Sequence, residues 1–181
     1  MSLVIACMDG SSASLRRSHT RMYMSDVVES AALKQTKDYH FKAVKGGLIF
    51  NGKSRIRRFI LKHNVVTNNL LVVGKSYGGR NIVDLITDLK PILNYDLVYL
   101  FLVDACWVGA AAAGHVIQIS KVDKTINFYQ RNNPGLKGAT TSPKAKYEAD
   151  LTATGCDHFD IIERPEVLKM LGKSIKELCN A

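Results

Sequence analysis

The run Gly74-Lys75-Ser76-Tyr77-Gly78 sets a serine between glycines two residues before it and two after it. Ahead of it, Leu70-Leu71-Val72-Val73 is an apolar stretch of strand length. Behind it, Ile82, Leu85, Ile86, Leu89 and Leu93 mark one helical face, so the chain reads strand, tight turn, helix, with Ser76 at the apex. Such a turn strains the serine backbone and crowds the chain on either side, so residues without side chains are needed at 74 and 78. The hydroxyl is lifted clear of the strand, and the amide of Tyr77, at the start of the helix, can face an oxyanion. The chemistry that fits is nucleophilic attack by serine.

A second chemistry competes for the same residues. Gly74-Lys75-Ser76 is also the tail of a phosphate-binding Gly-x-x-x-x-Gly-Lys-Ser/Thr loop, and the apolar strand ending at Asp104 can pass for its magnesium-binding partner. The first glycine of that pattern falls on Asn69, however. The four residues between are Leu70, Leu71, Val72 and Val73, which belong inside a strand and cannot wrap a phosphate with backbone amides. A nucleotide-binding protein built on this turn stays an alternative with that mismatch against it.

Positioning such a serine takes a sheet. Leu3-Val4-Ile5-Ala6-Cys7-Met8 is a continuous apolar run suited to a strand buried on both faces, and it breaks at Asp9-Gly10-Ser11-Ser12. Ser25 is placed to cap a helix from Asp26 with Val27, Val28, Ala31 and Ala32 inward. Residues 39–44 form the next strand, Gly46, Gly47 and Asn51-Gly52 punctuate, and a basic helix over 53–62 precedes the serine strand. Residues 97–103 are apolar throughout and therefore central, ending at Asp104. Residues 109–114 read as small-residue loop or weak helix, 116–122 as connecting structure, 125–130 as a fifth strand, and 132–147 as a long surface loop. Pro165 opens a last helix with Val167, Leu168, Leu171, Ile175 and Leu178 inward. Strands alternating with helices predict an α/β protein, a three-layer α/β/α sandwich whose mostly parallel sheet has about five or six strands, within a single domain over residues 1–181.

In such sheets functional residues gather at the carboxyl ends of the strands. Ser76 and Asp104 both sit at such ends, and His158 lies in the last loop before the final helix. With this set the chain resembles a serine hydrolase of the α/β-hydrolase superfamily, a small lipase- or esterase-like member, in which the order along the chain is Ser, acid, His. The resemblance runs from about residue 3 to 179 and is most specific at Gly74 to Gly79. Val103-Asp104, Asp157-His158-Phe159 and Asn127-Phe128-Tyr129-Gln130 add to it.

The resemblance implies that His158 takes the serine proton and returns it to the leaving group, while Asp104 fixes and stabilises the imidazole. His115 is the rival base; His19, His40 and His63 precede the serine, out of that order. Asp150, Asp157 and Asp160 are rival acids, with a capping or turn role as the plain reading of each. The oxyanion hole would join the Tyr77 amide to one from the turn after the first strand, at Gly10 or Ser11, a site that also reads as a plain Asp-Gly turn. The chain departs from the pattern in three respects. The first antiparallel strands of the usual sheet have no counterpart. No Asp or Glu follows Gln130 before Glu148, so the common acid position is empty and Asp104, one strand earlier, takes the role. No insertion is long enough for a substantial lid. Lys75 beside the serine is either a solvated side chain or a preference for anionic substrates.

The 181 residues, 46% of them hydrophobic, suffice for a core on both faces of a sheet. Neither a signal peptide nor a membrane-spanning run is visible, which leads us to expect a soluble cytoplasmic protein. Cys7, Cys106, Cys156 and Cys179 lack metal-ligand spacing and read as reduced small hydrophobes, so neither metal nor cofactor is implied. The net charge of +9 is concentrated in Lys53-Ser54-Arg55-Ile56-Arg57-Arg58-Phe59-Ile60-Leu61-Lys62. That face is either solvated or drawn to an anionic membrane surface or another acidic partner. No helix-turn-helix, zinc or RNA-recognition pattern accompanies it, which argues against nucleic acid. The expected reaction is hydrolysis of a small ester or lipid-like substrate; a catalytically inactive scaffold used for binding is the alternative in another class.

Overall fold

The computed structural model describes residues 2–10, 23–45, 49–106, 116–119, 122–133 and 136–181. In chain order the elements are β1 (Ser2–Met8), α1 (Met24–Leu33), β2 (Tyr39–Val44), α2 (Ile49–Lys62), β3 (Asn68–Lys75), α3 (Tyr77–Leu89), β4 (Val98–Val103), β5 (Val116–Gln118), β6 (Lys124–Tyr129), β7 (Thr140–Ser142), β8 (Tyr147–Asp150) and α4 (Pro165–Asn180). Among the described residues six strands make one sheet in the order β2-β1-β3-β4-β6-β8, every neighbouring pair parallel, and β5 and β7 form a separate parallel pair.

Alternation along the strands divides the core in two. Leu3, Ile5, Cys7, Leu71, Val73 and Phe101 face α1 and α4, while Val4, Ala6, Met8, Leu70, Val72 and Leu100 face α2 and α3. Because both faces are covered, β3 is buried along its whole length, which is what its uninterrupted apolar run requires. Each fully buried Leu or Val contributes about 1.5–3 kcal/mol relative to exposure, so the strand that carries the serine is firmly fixed. Asn69, also buried, ties it sideways: its amide oxygen accepts from Leu97 N at 3.0 Å and its Nδ2 donates to Leu178 O at 2.6 Å.

The structure differs from the sequence reading at five places. The basic helix starts at Ile49, so Asn51-Gly52, read as punctuation ahead of it, lies inside α2. Ser25 lies inside α1 rather than capping it; the buried Asp9 carboxylate reaches across from the end of β1 to accept from Met24 N and Ser25 N, both at 3.2 Å. Residues 116–118, read as connection, pair with 140–142, and 147–150 form the sheet's far edge, so the segment read as a loop over 132–147 is part strand. α3 gives way at Leu89 to a 3-10 turn over Lys90–Ile92 that contains Pro91. Leu168 is 42% exposed, not inward.

Candidate active site

Ser76 sits between β3 and α3 with φ 57° and ψ −136°, a conformation costly for a residue with a side chain and held by its surroundings. Its carbonyl accepts from Gly79 N at 3.0 Å and Cys106 N at 3.2 Å. The glycines are needed for clearance: a β-carbon at 74 would lie 2.5 Å from Gly79 Cα, and one at 78 would lie 2.2 Å from Met8 O, against backbone that cannot yield.

The side chains of Ser76, His158 and Asp104 form one buried chain of contacts. His158 Nε2 lies 2.8 Å from Ser76 Oγ, and its Nδ1 lies 2.5 Å from Asp104 Oδ2. His158 and Asp104 are fully buried and Ser76 is 5% exposed. Asp104, with φ 49° at the end of β4, is anchored by its own N–H to Phe128 O at 2.6 Å. Its carboxylate also accepts from Gln130 twice, from the backbone N at 3.1 Å and from Nε2 at 2.8 Å. A β-carbon at Gly138 would lie 2.1 Å from Asp104 Oδ1, so that glycine leaves room for the acid.

The rival acids shape the loop that presents the histidine. Asp157 Oδ1 accepts from Phe159 N at 2.6 Å and Asp160 N at 3.0 Å, Asp160 Oδ1 accepts from Asp157 N at 2.7 Å, and Asp160 Oδ2 meets Arg164 at 3.3 Å. Asp150 accepts from Thr152 N at 2.9 Å and faces Arg131 at 4.0 Å. Asn132 Nδ2 donates to Cys156 O at 2.8 Å, fastening the loop from the β6 side. Lys75, only 8% exposed, extends Nζ to Phe159 O at 3.5 Å, so it braces this loop rather than reaching into solvent.

Gly10 closes the other side of the serine. A β-carbon there would lie 2.8 Å from Ser76 Oγ and 3.1 Å from Tyr77 N, so the missing side chain leaves a small space bounded by the hydroxyl and the first amide of α3. Helix-start amides have no partner within the helix and suit an anionic oxygen. Asp9, which precedes this glycine, is pinned to α1; burial raises its pKa, opposed by the Ser25 and Met24 hydrogen bonds and the Lys75 charge. Ser11, His19 and His115 lie outside the described residues.

Two neighbours were not anticipated from sequence. Gln130 stands at the end of β6, where the acid is more often found, and serves Asp104 instead; a polar side chain closing a strand beside an acid-bearing one is the only signal. Gln130 is itself held, its Nε2 on Leu136 O at 2.8 Å and its Oε1 accepting from Asn132 N at 2.6 Å. Cys106 Sγ lies 3.7 Å from Ser76 Oγ, and burial pushes its thiol up to about 11. Residues 69–73, which a phosphate loop would need free, are strand β3. Among the described residues no His, Cys, Asp and Glu side chains converge as a metal site, and all four cysteines are free.

A parallel sheet flanked by helices, with a strained serine at the turn after β3 and a histidine and an acid from later strand-end loops beside it, is an α/β-hydrolase-like fold. Among solved structures the chain is similar to ClbQ from the colibactin NRPS/PKS pathway, at 11% identity and TM-score 0.57 over 99% of each chain. It is similar to a protein described as a YdeN-like hydrolase from Pectobacterium atrosepticum, at 14% identity and TM-score 0.51 over 98% of this chain and 92% of that one. It also resembles a protein described as a hydrolase from Agrobacterium vitis, at 12% identity and TM-score 0.52 over 96% and 87%. At these identities the likeness is one of fold. No protein-family profile and no curated protein sequence matches the chain.

Proposed function

We propose that the protein is a serine hydrolase that cleaves carboxylic esters through an acyl-serine intermediate, with Ser76 as nucleophile, His158 as base and Asp104 as its orienting acid. The observation that carries this reading is the buried contact chain from Ser76 Oγ to His158 Nε2 at 2.8 Å and from His158 Nδ1 to Asp104 Oδ2 at 2.5 Å. As Oγ attacks the ester carbonyl carbon, its proton passes to Nε2, and the Asp104 carboxylate stabilises the imidazolium through Nδ1–H. The carbonyl oxygen, now an oxyanion, enters the space between Gly10 and Tyr77 N–H. Collapse expels the alkoxide, which takes the proton from Nε2 and leaves as alcohol. Water then attacks the acyl-serine, giving its proton to His158, and the acid product departs as Oγ recovers a proton.

A chain-length series of nitrophenyl esters tests the reading. The wild type should turn over at least one member, and Ser76→Ala should lose several orders of magnitude in turnover with nearly unchanged thermal stability. A Ser76→Ala variant retaining most of the activity removes the serine from the mechanism.

A further inference from the structure

The cationic face of α2 is built into a site of its own, away from the serine. Ile56 and Ile60 are fully buried beneath the helix. Gly52, near the start of α2, crosses Val44 of edge strand β2, where a β-carbon would lie 2.8 Å from Val44 Cγ1. Just beyond the end of α2, His63 stacks on His40 of β2 with centroids 4.0 Å apart. The helix therefore runs antiparallel to β2, and between them opens a groove of about 330 Å³ lined by Lys42, Arg55, Arg58, Phe59 and Lys62. Positions 55, 58, 59 and 62 share one helical stripe. Among the described residues none of these four cations meets a carboxylate, whereas Lys53, earlier on the helix, is paired with Asp88 at 3.5 Å.

Beyond Lys62 the chain turns through Val65 and Val66, which are 48% and 70% exposed. Ile92, 49% exposed, is fastened to the same turn: Asn64 Nδ2 donates to Ile92 O at 2.8 Å, and Asn94 N donates to Asn64 Oδ1 at 2.6 Å. An unneutralised cationic groove thus runs into an apolar tip. A soluble anion or a nucleic-acid strand would use the cations but not the tip. An anionic bilayer uses both, its headgroups answering the charges and its interface receiving the valine and isoleucine side chains.

We propose that this surface docks the protein onto anionic phospholipid membranes. β3 separates Val66 from Ser76, eight residues or about 26 Å of strand, so docking is an attachment rather than part of the ester chemistry and does not rest on that reading.

The test is co-sedimentation of the whole protein with vesicles of phosphatidylcholine, with and without phosphatidylserine, at low and high salt. Binding is expected only with phosphatidylserine, falling about tenfold or more as salt rises. Arg55→Glu with Arg58→Glu should weaken it about tenfold or more. Val66→Ser should weaken it severalfold with the salt dependence unchanged, each variant keeping the wild-type melting temperature. Absence of phosphatidylserine-dependent binding at low salt overturns the proposal, as does binding indifferent to the arginine reversals. Binding indifferent to Val66→Ser, or displaced equally by soluble glycerophosphoserine or an oligonucleotide, shows a site for soluble anions and overturns it too.

Discussion

Replacing Asp104 with asparagine removes one charge from a site with three donors already committed. Oδ2 accepts from His158 Nδ1 and Gln130 Nε2, and Oδ1 accepts from Gln130 N. If the new amide nitrogen takes the Oδ2 position, it confronts the Gln130 donor and turns His158 to the tautomer in which Nδ1 accepts. Nε2 then carries a proton and cannot take the one from Ser76. If the nitrogen takes the Oδ1 position, the tautomer survives but Gln130 N faces a donor and the imidazolium loses its counter-charge. In serine proteases the same replacement costs on the order of 10⁴ in turnover, which is roughly 5.4 kcal/mol of transition-state stabilisation. The fold should suffer less, since one buried donor left without an acceptor costs about 1–3 kcal/mol. At roughly 2–4 °C per kcal/mol for a chain of this size, the melting temperature falls only modestly. Steady-state turnover of a nitrophenyl ester beside a thermal melt reads both quantities, with Asp150→Asn and Asp160→Asn as controls that should cost far less. Asp104→Asn within tenfold of wild type, or a dead control beside an active Asp104→Asn, refutes the role given to this acid.

Gln130→Met should keep the volume but withdraw one of the three donors to Asp104, lowering turnover about tenfold with little change in KM and destabilising by about 1–3 kcal/mol; a change in KM alone would mean that Gln130 meets substrate. Cys106, its thiol pushed up to about 11 by burial, should be alkylated at pH 8 some two hundredfold or more slowly than an ordinary thiol, with the rate rising with pH as the thiolate forms. Rapid labelling of Cys106 at neutral pH with loss of activity would contradict both its burial and the choice of serine over cysteine.

How much of this was legible in the sequence depended on how strongly each feature marks its residues. The central strands announce themselves because burial on both faces leaves no polar position, as in residues 70–73. The serine turn is visible because backbone contacts at Gly74 and Gly78 exclude any side chain. Asp104 and His158 could be placed because strand ends and chain order narrow the choice, and the structure brings His158 to Ser76 and Asp104 to His158. β8 was hidden because Tyr147-Glu148-Ala149-Asp150 is an edge strand with one neighbour and no apolar run. The cap on α1 leaves no local signal because its acceptor, Asp9, lies 15 residues from Met24, beyond any local pattern. Gln130 and Lys75 act through register and loop closure, which no local spacing encodes.

The central claim is that Ser76 is a nucleophile activated by His158. Its most direct test is reaction of the native protein with a fluorophosphonate probe, followed by peptide mass mapping. One adduct is expected, on the peptide carrying Ser76, absent in Ser76→Ala and strongly slowed in His158→Ala. No adduct on the folded wild type would mark an inactive scaffold, and an adduct on another residue would place the nucleophile elsewhere; either result removes Ser76 from the chemistry.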